Sequence, residues 1–161
     1  MKTPLRRIVL IGENIELRIV SLVVRCREVA EDVVVFDTGS TDETVQLAGE
    51  VQSRVVEYNG DLTPQHLAKA AVSASLDDGL TLFLPISPMW KMAELPLSVN
   101  RAREGWDIHY LYREQPGTNA LEPMMLANAS MGHLIASAAG LQHLAQLPDD
   151  ATTDDVSDEV R

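Results

Sequence analysis

One cysteine, Cys26, is all that the chain contains, so an internal disulfide is impossible; its place on an apolar helical face makes it a small buried hydrophobe rather than a nucleophile. Lysine is almost as scarce, with Lys2, Lys69 and Lys91 only. Thirteen Lys plus Arg stand against twenty-four Asp plus Glu, a formal charge of -11, which argues against nucleic acid and anionic membrane as partners. A chain this acidic and this poor in lysine suits concentrated salt, where self-repulsion is screened, and implies a halophilic source. No window reaches the roughly 18 apolar residues of a membrane-spanning helix. Residues 1–12 lack the apolar core and small-residue cleavage site of a signal peptide, so the expected location is cytoplasmic. Repeats and low-complexity blocks are missing too, and His66, His109, His133 and His143 show no metal-ligand spacing.

What the chain does have is Val33-Val34-Val35-Phe36-Asp37-Thr38-Gly39-Ser40-Thr41-Asp42-Glu43-Thr44. A continuous apolar run with three β-branched residues reads as a strand buried on both faces, as in a parallel sheet covered by helices, and it stops at Asp37. Gly39 permits a tight turn, and Ser40 with Glu43 three residues later reads as a capping box opening a helix whose apolar positions are Val45, Leu47, Ala48 and Val51. At such a strand end, free backbone N–H groups and the helix dipole attract anions, while the Asp carboxylate accepts hydrogen bonds from a base or sugar.

Taken in order, Arg6-Arg7 precede a short strand from Ile8 to Ile11, stopped by Gly12. Residues 15–30 alternate at first like a strand, yet Ile15, Ile19, Leu22, Val23, Cys26 and Ala30 share one helical face, and the length favours a helix. After the central strand and a helix over 42–52 come a strand from Arg54 to Tyr58 and a turn at Asn59-Gly60-Asp61. Thr63 as N-cap and Pro64 at the first position open a helix with Leu67, Ala70, Ala71 and Ala74 inward. Leu80 to Leu84 is another buried strand; 95–104 forms a helix ended by Gly105, and 106–112 alternates like a strand with one wet face. Beyond a loop at 114–119, residues 121–129 and 132–137 read as strands, the first at an edge because of Pro123, and 138–147 as a helix. Residues 1–147 form one domain; 148–161, nearly devoid of apolar residues, form an acidic, disordered tail.

The pattern Val-Val-x-Asp-Thr-Gly-Ser-Thr-Asp-x-Thr resembles the signature of inverting glycosyltransferases of family 2, which have the GT-A fold and use nucleotide-sugar donors. The likeness runs over residues 7–113 and more weakly to about 147, and the chain looks like a minimal or trimmed version. It implies a three-layer α/β/α domain with a mainly parallel, Rossmann-like sheet. By resemblance, Ile11, Gly12, Glu13, Asn14, Asp37, Gly39 and Ser40 cradle a pyrimidine base and ribose, with Lys69 or an Arg on the diphosphate. Family members carry an Arg-Asn pair on the helix where this chain has Ala68-Lys69. The family also ends its next strand with a metal-binding Asp-x-Asp, whereas Leu84 is followed here by Pro85-Ile86-Ser87-Pro88. Pro, Ile and Ser do not supply the oxygen ligands that a hard divalent cation needs, so no divalent metal is expected.

Two readings of function stay open: a small glycosyltransferase working without metal, or an inactive relative that binds a nucleotide or a protein partner, a second copy of itself included. No catalytic residue is assigned. Asp37 and the Gly39 loop also serve any doubly wound fold structurally. The acidic residues Asp154 and Asp155 read as a solvated tail rather than a catalytic base, and Trp90, Met124 and Met125 as packing residues.

Overall fold

The computed structural model describes residues 3–87, 90–112, 131–150 and 159–160. Strands are β1 (Leu5–Gly12), β2 (Asp32–Asp37), β3 (Arg54–Glu57), β4 (Leu80–Pro85), β5 (Ile108–Tyr112), β6 (Met131–Ala136) and β7 (Glu159–Val160). Helices are α1 (Ile19–Arg27), α2 (Thr44–Glu50), α3 (Pro64–Ser73), α4 (Leu95–Ala102) and α5 (Ala138–Ala145), with a 3-10 turn at Met92–Glu94 before α4. One sheet of seven strands has the order β3-β2-β1-β4-β6-β5-β7. Its first four strands are mutually parallel, while β6 runs antiparallel to β4 and β5, and β7 antiparallel to β5.

Alternation along each central strand sends successive side chains to opposite layers. Ile8, Leu10, Val33, Val35, Leu82 and Leu84 pack under α1, α2 and α4, through Ile19, Leu22, Val23, Cys26, Ala48, Leu95, Val99 and Ala102. Val9, Ile11, Val34, Phe36 and Phe83 pack under α3 and α5, through Leu67, Ala68, Ala71, Leu141 and Leu144. The three-layer α/β/α domain with a mainly parallel sheet is therefore the one expected. Cys26 is fully buried, and desolvation pushes its thiol up to about 12. No helix among the described residues is long and apolar enough to cross a membrane.

Several local expectations are corrected. Arg6 and Arg7 lie inside β1 rather than before it. Helix α1 starts only at Ile19, because Asn14 takes a left-handed conformation (φ 52°) and Ile15 to Arg18 form a turn closed by Arg18 N–H on Ile15 C=O. The Ser40–Glu43 capping box does not form: Asp42 caps α2 instead, its Oδ1 accepting from Thr44 N at 2.9 Å and Thr44 Oγ1 at 2.5 Å. Val45 faces outward, 42% exposed, leaving Thr44 and Ala48 as the buried residues of α2. At the chain end, Asp149 pairs with Lys69, and Glu159–Val160 joins the sheet against Ile108 and His109. The readings of 114–119 and 121–129, and of Pro88, Met124, Met125, Asp154 and Asp155, lie outside the described residues.

At the amino edge of the sheet, Arg7 is 2% exposed and fully engaged. It donates to Asp32 Oδ2 at 2.8 Å, Asp78 Oδ1 at 2.6 Å and Leu76 C=O at 3.0 Å, which ties β1, β2 and the turn before β4 together. The carboxylates are more exposed than the guanidinium, so the two halves of the network are not equivalent. Removing the acids strands a buried cation, which costs about 3–5 kcal/mol. Asp32→Asn with Asp78→Asn should therefore destabilise the fold more than Arg7→Met in urea titrations at equal pH.

His133 and His109 lie side by side on β6 and β5, with ring centres 5.2 Å apart, and His133 is 7% exposed. Burial first, then His109 and Arg101, lower His133 to about 4. Its folded-state value thus lies below its unfolded one, so its contribution is complete above pH 6.5 and is lost as pH falls towards 4. Wild type should lose about 3 kcal/mol more than His133→Gln between pH 7 and pH 4. Paired denaturant titrations at both pH values check this.

Candidate functional site

The connections β1–α1–β2 and β2–α2–β3 carry the chain away from β1 on one face, and β3–α3–β4 brings it back past β1 on the other. The strand order therefore reverses between β1 and β4, and the carboxyl ends of β2, β1 and β4 frame the place where open α/β sheets bind ligands. Register sets Gly12 beside Asp37 and Ile11 beside Pro85.

Asp37 ends β2 because the apolar run ends there, and its side chain is turned onto its own loop. Oδ2 accepts from Gly39 N at 3.3 Å and Ser40 N at 3.1 Å, and Oδ1 from Ser40 Oγ at 2.5 Å. Gly39 at φ +126° is a conformation that side chains rarely adopt, which explains the residue type. The β1–α1 loop is latched across this turn. Asn14 N donates to Ser40 Oγ at 2.9 Å, Thr41 N to Asn14 Oδ1 at 2.8 Å, Glu43 N to Glu16 Oε2 at 3.0 Å and Ile15 N to Thr44 Oγ1 at 2.9 Å. Glu16 N in turn donates to Asp42 Oδ2 at 3.2 Å.

The predicted residues fall into three groups. Gly12, Asn14, Asp37, Gly39 and Ser40 meet at one strand-end cluster, with exposed Glu13 beside Gly39: a Cβ on Gly39 would lie 3.6 Å from Glu13 Oε2. Ile11 is 2% exposed and packs in the layer beneath with Phe36 and Phe83, so only its backbone reaches the edge, accepting from Ile86 N at 2.7 Å. Lys69 stands apart on α3, its ammonium paired with Asp149, which also faces His66 Nε2 at 3.6 Å. Lys69 holds that carboxyl below its usual range.

Asn14, Glu16 and Asp42 occupy the amides of Thr41, Glu43 and Thr44, so these three groups are not offered to an incoming anion. Sequence reading missed Glu16, which carries no pattern of its own, and Arg18, which lies across β1 from Asp37. Arg18 Nη2 donates to Trp90 C=O at 2.8 Å and Nη1 to Ser87 C=O at 3.4 Å, with the guanidinium 5.7 Å from the Trp90 ring centre. At the end of β4, Pro85 and Ile86 are buried.

Because Asp37 organises three donors of its own loop, Asp37→Ala should lower stability by about 1–3 kcal/mol without any ligand. Ser40→Ala should cost less, since the backbone donors keep their acceptor. Urea denaturation of the two variants measures the difference.

The chain matches no protein-family model and no curated protein. Among solved structures, it is similar to glucosyl-3-phosphoglycerate synthase from Mycobacterium tuberculosis in complex with Mn2+, UDP and glucosyl-3-phosphoglycerate, at 21% identity and TM-score 0.47. The match covers 83% of this chain and 57% of the synthase, so the chain spans little more than half of that protein's length. A structure of 4-diphosphocytidyl-2C-methyl-D-erythritol synthase is similar at 16% identity and TM-score 0.46, over 92% of this chain and 82% of that one. Likeness of this order does not say what the chain binds.

Proposed function

We propose that the chain binds a nucleotide-sugar donor at the carboxyl edge of its sheet, as a small glycosyltransferase-like protein. The observation that carries this reading is the Asp37–Thr44 loop, latched to the β1–α1 loop beside the point where the strand order reverses. Open α/β sheets bind nucleotides where the strand order reverses in this way. Asp37 Oδ1 takes one hydrogen bond from Ser40 and retains a lone pair for a ring N–H of the base. Glu13, Asn14 and the main chain at Gly12 and Gly39 flank that position, and a hexose on the diphosphate is the group transferred.

A second reading is favoured by the end of β4. Pro85-Ile86-Ser87 carries no carboxylate, so a chain that keeps the nucleoside cluster without a metal clamp suits a binding subunit that performs no transfer. Turnover of a nucleotide-sugar separates the two readings.

Calorimetry with uridine, cytidine, adenosine and guanosine diphosphates in concentrated salt tests the common premise. One of them should bind, and Asp37→Asn should weaken it by about tenfold or more, as expected for one charged hydrogen bond. Absence of binding by all four would remove the donor-site reading.

A further inference from the structure

The resemblance calls for a divalent cation at the end of β4, and the residues there do not fit one. Pro85 offers a ring, Ile86 an aliphatic chain that is 6% exposed, and Ser87 a single hydroxyl, whereas a hard cation takes several oxygens, carboxylates foremost. Among the described residues no group of three or more His, Cys, Asp or Glu could hold a metal ion. A cation of another kind is there instead. Arg18, at the start of α1, holds its guanidinium on the carbonyls of Ser87 and Trp90 and near the Trp90 indole.

In a chain of net charge -11, the state of this charge is informative. Arg6, Arg7, Arg25, Arg101 and Lys69 are each paired with carboxylates, while Arg54 and Arg103 donate, like Arg18, to main-chain carbonyls, but far from the carboxyl ends of β1 and β4. Arg18 makes no ion pair with a carboxylate among the described residues; its partners are neutral carbonyls, which orient the guanidinium without cancelling its charge. Those two bonds engage two of its five N–H donors, and the planar fork matches phosphate oxygens. Asp37 and the end of β4 flank β1 on either side, two strand spacings or roughly 10 Å apart. Base at Asp37 and phosphates at Arg18 follow the order in which a nucleoside diphosphate is built.

We propose that Arg18 is the diphosphate subsite of this chain, a fixed cation standing where the family's divalent metal would be. The inference rests on the nucleotide reading above and adds the residue that holds the phosphates. Lys69 is not that residue, because Asp149 neutralises it. The amides of Thr41, Glu43 and Thr44 are not it either, because Asn14, Glu16 and Asp42 fill them.

The test measures binding of inorganic pyrophosphate, of each nucleoside and of its diphosphate by calorimetry, on wild type, Arg18→Lys and Arg18→Gln, with EDTA and then with Mn2+. Expected are a loss of diphosphate and pyrophosphate affinity of at least about tenfold in Arg18→Gln, unchanged nucleoside affinity, partial recovery in Arg18→Lys, and no response of wild type to EDTA or Mn2+. Equal losses for nucleoside and diphosphate would make Arg18 a structural tether of Ser87 and Trp90 and overturn the proposal. So would unchanged pyrophosphate and diphosphate binding in Arg18→Gln, or wild-type affinity that EDTA removes and Mn2+ restores. Arg18-dependent pyrophosphate binding without nucleoside binding would keep the subsite and refute the nucleotide reading. Binding of neither probe refutes both.

Discussion

Strand β1 has parallel neighbours on both sides and helices on both faces, and the rest of the molecule is arranged by that constraint. A strand so enclosed has no wet face, so it must be apolar for as long as it is covered, and the chain turns polar only where the strands end together. Ile8 to Ile11 satisfy the first condition; Gly12 and Asp37 mark the second. Hydrogen bonding to β2 and β4 aligns these ends in one row, and candidate site residues from segments far apart in sequence become neighbours there.

Within that row the polar groups are largely satisfied by one another. The turn after β2 is held by Asp37, and the turn after β1 is pinned to it through Asn14 and Glu16. Buried or half-buried backbone donors cost free energy when unpaired, so side chains that complete the two loops also make them rigid. The chain's cations divide along the same lines. Arg7 is sunk under the amino edge among acids and a carbonyl, Lys69 is neutralised on the outer face of α3, and Arg18 keeps its charge beside the ends of β1 and β4.

Local signals account for what was legible. The run 33–37, the Thr63-Pro64 helix start and the glycine at 39 are patterns within a few residues, and each element formed where its periodicity or turn chemistry required. Boundaries shifted where a distant partner intervened. The helix after Asn14 began late because Asn14 is drawn onto Thr41, and the Ser40–Glu43 capping box gave way because Ser40 Oγ serves Asp37 and Asn14 instead. Val45 faced water although its neighbours alternate towards the core, because a helix as short as α2 covers the sheet with only one narrow stripe.

From the sequence alone follow the class of fold, the position of Asp37 at a strand end and the lack of metal-ligating carboxylates after β4, because each is a property of contiguous residues. Tertiary structure decided the rest. That Arg18 serves Ser87 and Trp90, that Glu16 holds the start of α2, and that Asp149 neutralises Lys69 are pairings across 69 and 72, 27 and 80 residues. Hydrogen bonds and ion pairs act only between groups a few ångströms apart. Sequence separation says nothing of that distance until the parallel sheet has brought the strand ends into line.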